Sequence, residues 1–599
     1  MNRSTLGFML ACFGALVLSS ACSSSERAFA DDQPIALVPE EAGTLPPVSC
    51  SGKICSRDMK KVVDGCTEAV IEDCGPQKGC ANGTCVAPCD AAAFAQGSAG
   101  CGFYTLPPDD DVWFAGSCFA AMIANTWDTP ATIEARYGTD PLDLGASIYT
   151  VEMNGTEPVY TKLEGALPPG QVAIVFLSEI RPRPDPTVYR DFSACPLGTL
   201  GAYNGDPISH GTGKTKAFSI KTDVPVSAYS IFPYGGAKTF FPTATLLLPT
   251  SSWSTNYVAV NAWQMSKDPY FRPLGGPSMQ IVAMEDDTEV RMKPKVDLYD
   301  GAGVTGSAAG KIATFKLNRG EVVQITQVDE LSGSPIAANK PIGLFGGSKC
   351  TDIPETIAAC DTLQQQIPPV AHWGSEYPLV PFRSRIQGDN PKPERVPYRL
   401  VGAVDGTVLT YDPERPLNAP ETLSAGQLAT VWTDKILSVK SQDKDHPFYA
   451  SVVMTGALFN DDSGQGYKAT DGDPDFVNLV PGDQFLDRYV FFADYTFPET
   501  SLTIVRKKDQ NGFHPVELDC LGEVPNFKSL GKGGQYEYAW VDLTHSFSPA
   551  SGTCGAGRHE AKSDGPFSLT VWGMGYCASY GYAGGAGNRP LTQVTMPVK

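Results

Sequence analysis

The chain has 599 residues, a formal net charge of -20 and 19% charged residues. An acidic balance of that size disfavours nucleic acid, whose phosphates need a basic patch, and disfavours charge-driven binding to an anionic membrane face. Gly 60, Pro 49 and 10% aromatic residues point to a turn-rich β protein of several domains rather than a helical one.

The chain opens with Arg3 and an apolar run from Leu6 to Leu18, a secretory signal too short to span a bilayer comfortably. Leu18-Ser19-Ser20-Ala21-Cys22 resembles a bacterial lipobox, making 1–22 a signal peptide with Cys22 as the lipidation site. Ala28-Phe29-Ala30 offers ordinary cleavage after Ala30 as the alternative. No later stretch approaches the ~20 apolar residues of a membrane helix, so membrane contact is expected through the lipid anchor only. Residues 23–49, rich in Ser, Asp, Glu and Pro, read as a flexible tether. Residues 50–101 carry Cys50, Cys55, Cys66, Cys74, Cys80, Cys85, Cys89 and Cys101. So short a stretch buries little core, and its spacing is not a zinc pattern, so structural disulfides of open connectivity are expected to hold it. Of seventeen cysteines, Cys12 leaves with the signal and Cys22 would carry lipid, so at least one of the remaining fifteen is unpaired or bridges elsewhere.

From residue 102 the chain becomes a β-repeat body that runs to 599. Asp223-Val224-Pro225-Val226, Asn339-Lys340-Pro341-Ile342, Asp445-His446-Pro447-Phe448 and Asp564-Gly565-Pro566-Phe567 each open an apolar run, with the prolines 116, 106 and 119 residues apart. A fixed period means tandem copies of one unit. The Asx side chain is expected to bond its own downstream backbone, and the proline to occupy a strand's first position. Leu167-x-x-Gly170, Leu317-x-x-Gly320 and Leu423-x-x-Gly426 mark a repeated turn, with a looser copy at Leu530 to Gly534. Residues Ala313 to Thr326 around Asn318-Arg319-Gly320 read as a hairpin with one buried face, and the first unit carries an insertion over about 178–212. Leu248-Pro249-x3-Trp253-x3-Tyr257, Ile367-Pro368-x4-Trp373-x3-Tyr377 and Val480-Pro481-x3-Phe485-x3-Tyr489 mark the joints, where the aromatics are expected to pack against the adjoining unit. The expected fold is mainly β, with four tandem antiparallel units of about 110 residues behind a small disulfide-rich module. Sandwich-like units fit this period, with a propeller-like ring as the alternative and a Cys101–Cys577 bridge as its possible clasp.

Chemistry is sparse. The six histidines, His210, His372, His446, His514, His545 and His559, show no metal-ligand spacing and read as surface or turn residues. Gly211-Thr212-Gly213-Lys214-Thr215 lacks the leading glycine of a phosphate loop and reads as a polar loop. No cofactor is called for, save that Asp461, Asp462, Asp471, Asp473 and Asp475 in a Gly-rich stretch could offer oxygens to Ca²⁺. Asp109, Asp110 and Asp111 form a weaker acidic group.

Cys350-x9-Cys360-Asp361, continuing to Gln366-Ile367-Pro368-Pro369 and Trp373-Gly374-Ser375-Glu376-Tyr377, resembles the IgGFc-binding protein N-terminal domain family. Thr222 to Tyr229, Leu246-Leu247-Leu248-Pro249 and Ser579-Tyr580-Gly581-Tyr582-Ala583-Gly584-Gly585 fit the same pattern, and the resemblance covers about residues 101–590. It implies an extracellular β-rich binding or adhesion domain with no catalytic residues. The resulting expectation is a lipid-anchored cell-surface or outer-membrane protein that binds a surface protein or glycan. An exported hydrolase using loop carboxylates such as Asp471 to Asp475, and a structural envelope or matrix component, are the alternatives.

Overall fold

The computed structural model describes residues 52–599 apart from 57, 111–113, 186, 188–191, 240, 268–274, 357–359, 387–392 and 458–470. The signal peptide, the tether, Cys22, Cys50, Asp111, Asp461 and Asp462 lie outside the described residues. Among the described residues no helix is long and apolar enough to cross a membrane.

The Cys-rich module has a three-stranded sheet (Lys53–Cys55, Lys61–Asp64, Val70–Asp73), a short hairpin (Gly79–Ala81, Thr84–Val86) and one helix, Pro88–Ala95. Proline suits the helix start, where the backbone N–H has no intrahelical partner, and Gln96 closes the helix at φ 52. Three disulfides hold the module: Cys55–Cys80, Cys74–Cys85 and Cys89–Cys101. Cys66 is exposed and has no disulfide partner among the described residues.

The body repeats one strand order four times. In each unit a central crossing segment belongs to two layers: Phe218–Phe232, Pro335–Thr351, the pair Leu437–Ser441 and Phe448–Met454, and Gly557–Gly575. Its first half pairs with the unit's first strand (Gly100–Thr105, Ser254–Val258, Glu376–Leu379, Leu486–Ala493). That half also pairs with the third strand (Ile133–Tyr137, Thr288–Met292, Thr407–Asp412, Val516–Leu518). Its second half pairs with the second strand (Phe119–Ala124, Pro277–Ala283, Val396–Gly402, Glu499–Lys507). On its other side lies the last strand (Thr243–Leu247, Asp361–Gln366, Asp475–Asn478, Ala578–Ala583). The units are therefore two-layered, as a sandwich is, with a strand that turns the corner between layers.

The repeated prolines sit at that corner, not at a strand's first residue. Between Lys221 and Val226 the partner strand advances only from Gly102 to Gly100. The same slip recurs between Ala337 and Ile342 against Asn256 and Ser254, and between Lys562 and Phe567 against Arg488 and Leu486. Each bulge contains the Asx-x-Pro phrase; proline brings no N–H and so loses nothing where the ladder is already interrupted. In the third unit the slip is longer, from Lys440 to Phe448 against Glu376 and Gly374, and the strand breaks in two. The Asx side chains also act differently from expectation. Asp223 Oδ1 accepts from Thr132 N at 2.7 Å and Asn339 Oδ1 from Glu289 N at 2.8 Å, so they cap the neighbouring third strand rather than their own turn.

The repeated glycine turn is also different. Ala313–Leu317 pairs with Thr288–Met292, whereas Glu321–Thr326 pairs with Pro277–Ala283. The two segments lie in different layers, and the turn at Gly320 (φ 77) is an arch between layers, not a hairpin. Alternation shows that one face is buried but not which strand lies alongside.

The joint aromatics are buried as expected, Trp373, Tyr257, Tyr377 and Tyr489 most completely, except Phe485, which is half-buried. They also share a hydrogen-bonding task. The hydroxyls of Tyr257, Tyr377 and Tyr489 donate to the carbonyls of Ile342, Phe448 and Phe567, in each case the residue after the repeated proline. Each accepts in turn from a backbone N–H three residues before it: Ser254, Gly374 and Leu486.

The four last strands close a circuit, with Thr243–Leu247 against Asp361–Gln366, that against Asp475–Asn478, that against Ala578–Ala583, and the fourth back on the first. Tyr229 seals the closure by donating to Val490 O and Gly584 O. A ring of sandwich-like units thus satisfies both expected architectures. The expected Cys101–Cys577 clasp does not form: Cys101 pairs with Cys89, and Cys577 has no disulfide partner among the described residues. Closure rests on buried aromatic and strand contacts instead. Further disulfides are Cys118–Cys195, which pins the first unit's insertion, Cys350–Cys360 and Cys520–Cys554.

Candidate functional site

A cleft of about 690 Å³ opens where the Cys-rich module meets the first unit. Its floor is one face of three adjacent strands. Alternation puts Gly102 and Tyr104, Ser219 and Lys221, and Glu134 and Arg136 on that face, with Lys221 opposite Glu134 and Ser219 opposite Arg136. Helix Pro88–Ala95 contributes Ala93, and the Cys89–Cys101 disulfide ties that wall to the floor. Thr250, Ser251, Met284 and Arg319 form the opposite wall.

Arg319 is held there by the arch it belongs to. A Cβ on Gly320 would lie 2.8 Å from Gly138 Cα, so the turns of the first two units abut at the cleft edge and only glycine permits the approach. Arg136, Lys221 and Arg319 have no ion-pair partner among the described residues, and Glu134 is the only acid in the lining. Asp286 sits just outside, accepting from Arg319 N at 3.1 Å. Burial raises the Tyr104 phenol, which stays a neutral hydrogen-bonding group. A cationic, part-apolar cleft on rigid strands in an acidic chain is suited to holding an anionic segment. It offers no pair of carboxylates for hydrolysis.

The structure also brings together residues that sequence spacing had left apart. His210 Nδ1 lies 2.9 Å from Asp109 Oδ1 and 3.2 Å from Asp110 Oδ1, and its Nε2 lies 2.8 Å from Asp206 Oδ2. Asp109 also accepts from Thr326 Oγ1 and Gly211 N. Burial opposes the His210 charge, but the bonds to Asp109 and Asp206 and the charge of Asp110 outweigh it and lift its pKa to about 10. Burial likewise opposes the Asp109 charge, yet His210, Lys349 and Thr326 hold its carboxyl below the usual range. Burial pushes Asp110 well above that range. With Lys349 Nζ 3.8 Å from Asp109, positive charge is already supplied, and the group acts as an ion-paired joint between the first two units. Asp519, Cys520 and His559 also converge, but the Cys520 sulfur is committed to Cys554.

Of the other histidines, His372 and His559 are buried rather than superficial. Gly213–Lys216 is not a loop but an edge strand paired with Glu321–Thr326 of the second unit. Asp471 is half-buried and bridges to Tyr576, whereas Asp473 and Asp475 are buried. These two are closed off from solvent, so of the carboxylates named for a hydrolase only Asp471 stays part-exposed.

Rigid strands repeated four times around a closed circuit define a β-repeat protein. The chain belongs to the IgGFc-binding family, whose model, described as IgGFc binding protein, matches residues 243–573, more than half of it. No curated protein and no solved structure matches the chain. The match starts at the first unit's last strand and ends inside the fourth unit's crossing strand, so the rest of the first unit shares the strand order while lying outside the matched span. The family is one of protein-binding domains rather than enzymes. The many disulfides fit an oxidising, extracytoplasmic compartment.

Proposed function

We propose that this is a lipid-anchored cell-surface recognition or adhesion protein that binds a protein partner without chemistry, using the cleft beneath helix Pro88–Ala95. The observation that carries the reading is the trio Arg136, Lys221 and Arg319, cations without ion-pair partners among the described residues, in a chain of net charge -20. Exposed acidic groups elsewhere repel an acidic partner, while this cleft selects for one. Apolar Met284 and the Tyr104 ring give an adjoining side chain of the partner something to cover. Cys22 would hold the protein at the membrane, and the Cys-rich module would space the ring from it.

The test is capture from whole cells and matrix by the full exported chain, compared with Arg136→Glu/Lys221→Glu. Reversing two of the cleft's floor charges is expected to weaken capture by about tenfold or more, with weaker salt dependence. Equal capture by both proteins would refute the cleft as the binding site. A sulfated or carboxylated glycan, offered as competitor, distinguishes a glycan partner from a protein one.

A further inference from the structure

The chain that follows the fourth unit's last strand is laid across three joints in turn. At the fourth unit's joint, Gly587 N donates to Gln484 O at 2.7 Å. The Gln484 side-chain amide then brackets the next residue but one: its Oε1 accepts from Arg589 N at 3.3 Å and its Nε2 donates to Arg589 O at 2.6 Å. At the third unit's joint, Leu591 N donates to Ala371 O at 2.7 Å. At the second unit's joint, Asn256 repeats what Gln484 does. Its Oδ1 accepts from Met596 N at 2.9 Å and its Nδ2 donates to Met596 O at 2.8 Å.

Over residues 591–599 burial alternates. Thr592, Met596 and Val598 are buried and Val594 is half-buried, whereas Gln593, Thr595, Pro597 and Lys599 are exposed. A period of two belongs to extended chain, yet among the described residues this segment pairs with no strand. Asn256 holds its backbone instead, and Val594 and Met596 pack on the apolar core that the second unit shares with the third. An amide places a donor beside an acceptor and so matches the N–H and C=O of one residue. The same joint position carries Glu376 in the third unit, a carboxylate with no donor, and Arg488 in the fourth, a guanidinium with no acceptor. The clamp at this position is therefore particular to the second unit.

Hydrogen bonds to the main chain, with troughs for every second side chain, are how extended peptides are recognised. These contacts would be the same for a segment of another copy, and exchange of an identical element is a low-cost route to association. Residues 584–599 include Arg589 and Lys599 and no acid, in a chain of net charge -20. The segment is thus drawn toward a second copy whose other surfaces repel. We propose that Asn256 and the apolar trough beside it form a docking site for an extended peptide with apolar residues at alternate positions. Residues 591–599 occupy it in cis, and the same residues of a second copy are the partner it admits once that segment is displaced. The site shares no residue with the cleft, so its failure leaves the recognition reading intact.

The probe is a fluorescent peptide of residues 590–599, added to the full exported chain and followed by anisotropy. In the parent the resident segment competes at an effective concentration on the order of millimolar, so uptake should be weak. Met596→Asp/Val598→Asp in the full chain loosens that segment, and the peptide should then bind at least about tenfold more tightly. Adding Asn256→Ala removes two hydrogen bonds and should weaken binding again by about tenfold. A scrambled peptide of the same composition should not bind. Should the double variant not fold, Met596→Ala alone carries the same expectation. The Asn256→Ala chain keeps an intact segment but loses the clamp, and the loosened chain keeps the clamp but loses the segment. Mixed, they should form a dimer by light scattering that neither forms alone. No gain in the loosened chain, equal binding of the scrambled peptide, indifference to Asn256→Ala or absence of the mixed dimer would overturn the proposal.

Discussion

Tyr377→Phe removes a single oxygen from the place where the third unit's chain passes between layers. The hydroxyl donates to Phe448 O at 2.8 Å and accepts from Gly374 N at 2.9 Å, in a side chain that is 2% exposed. Phenylalanine fills the same volume, so no cavity term enters, and what is lost is a donor to one buried carbonyl and an acceptor for one buried N–H. At about 1–2 kcal/mol for each unmatched group, with some relaxation, the net cost is about 2–3 kcal/mol. Tyr257→Phe and Tyr489→Phe should cost similar amounts, because the same two bonds recur there. The three positions serve separate units and share no hydrogen-bond partner, so the triple variant should lose about the sum. Tyr398→Phe is the matched control: it is equally buried, but its hydroxyl has no hydrogen-bond partner among the described residues, so its removal should be neutral or stabilising by about 1 kcal/mol. Urea unfolding followed by tryptophan fluorescence gives the midpoints, compared at matched slope. If Tyr377→Phe moved the midpoint no further than Tyr398→Phe, the idea that these hydroxyls secure the corners would be refuted.

Other consequences are equally direct. Cys118 and Cys195 are 77 residues apart and Cys350 and Cys360 only 10, so replacing the first pair by serine should cost about 4 kcal/mol against about 2.5 for the second, read from chemical unfolding. The His210 pKa is raised in the folded protein to about 10, so its stabilisation is complete below pH 6.5 and fades as pH climbs through 10. With its side chain 32% exposed, His210→Gln should cost about 2 kcal/mol at pH 6, and the gap from the parent should shrink by pH 10.5 in a pH series of unfolding midpoints. Cys22→Ala should abolish surface labelling of intact cells while leaving the unfolding curve of the body unchanged.

The period was legible because proline, glycine and the joint aromatics recur for mechanical reasons: each sits at a place every unit must build. What those residues do was harder to read. Pro225, Pro341 and Pro566 looked like strand starts, since a sequence shows that proline cannot donate but not that the strand bulges and continues beyond it. Alternation around Gly320 disclosed a buried face and suggested the wrong neighbour, because pairing across layers is set by the whole unit. The Cys101–Cys577 idea failed because spacing carries no distance, and Cys89 lay twelve residues away. Asp473 and Asp475 were visible as acids, but their burial depended on the ring. The Asp109–His210 contact joins residues 101 positions apart and left no local trace. Nor did the cleft, whose cations come from three separate segments.

The closed circuit of last strands also fixes how many copies the array can hold. An open string of repeats can gain or lose a member at modest cost, because each copy meets only its neighbours. Here Thr243–Leu247 faces both Asp361–Gln366 and Ala578–Ala583, so a fifth copy would have to prise apart the seam that Tyr229 seals. Variation among descendants of such a chain is therefore channelled into the outward connections, such as the stretch pinned by Cys118–Cys195, while the tally of units stays locked.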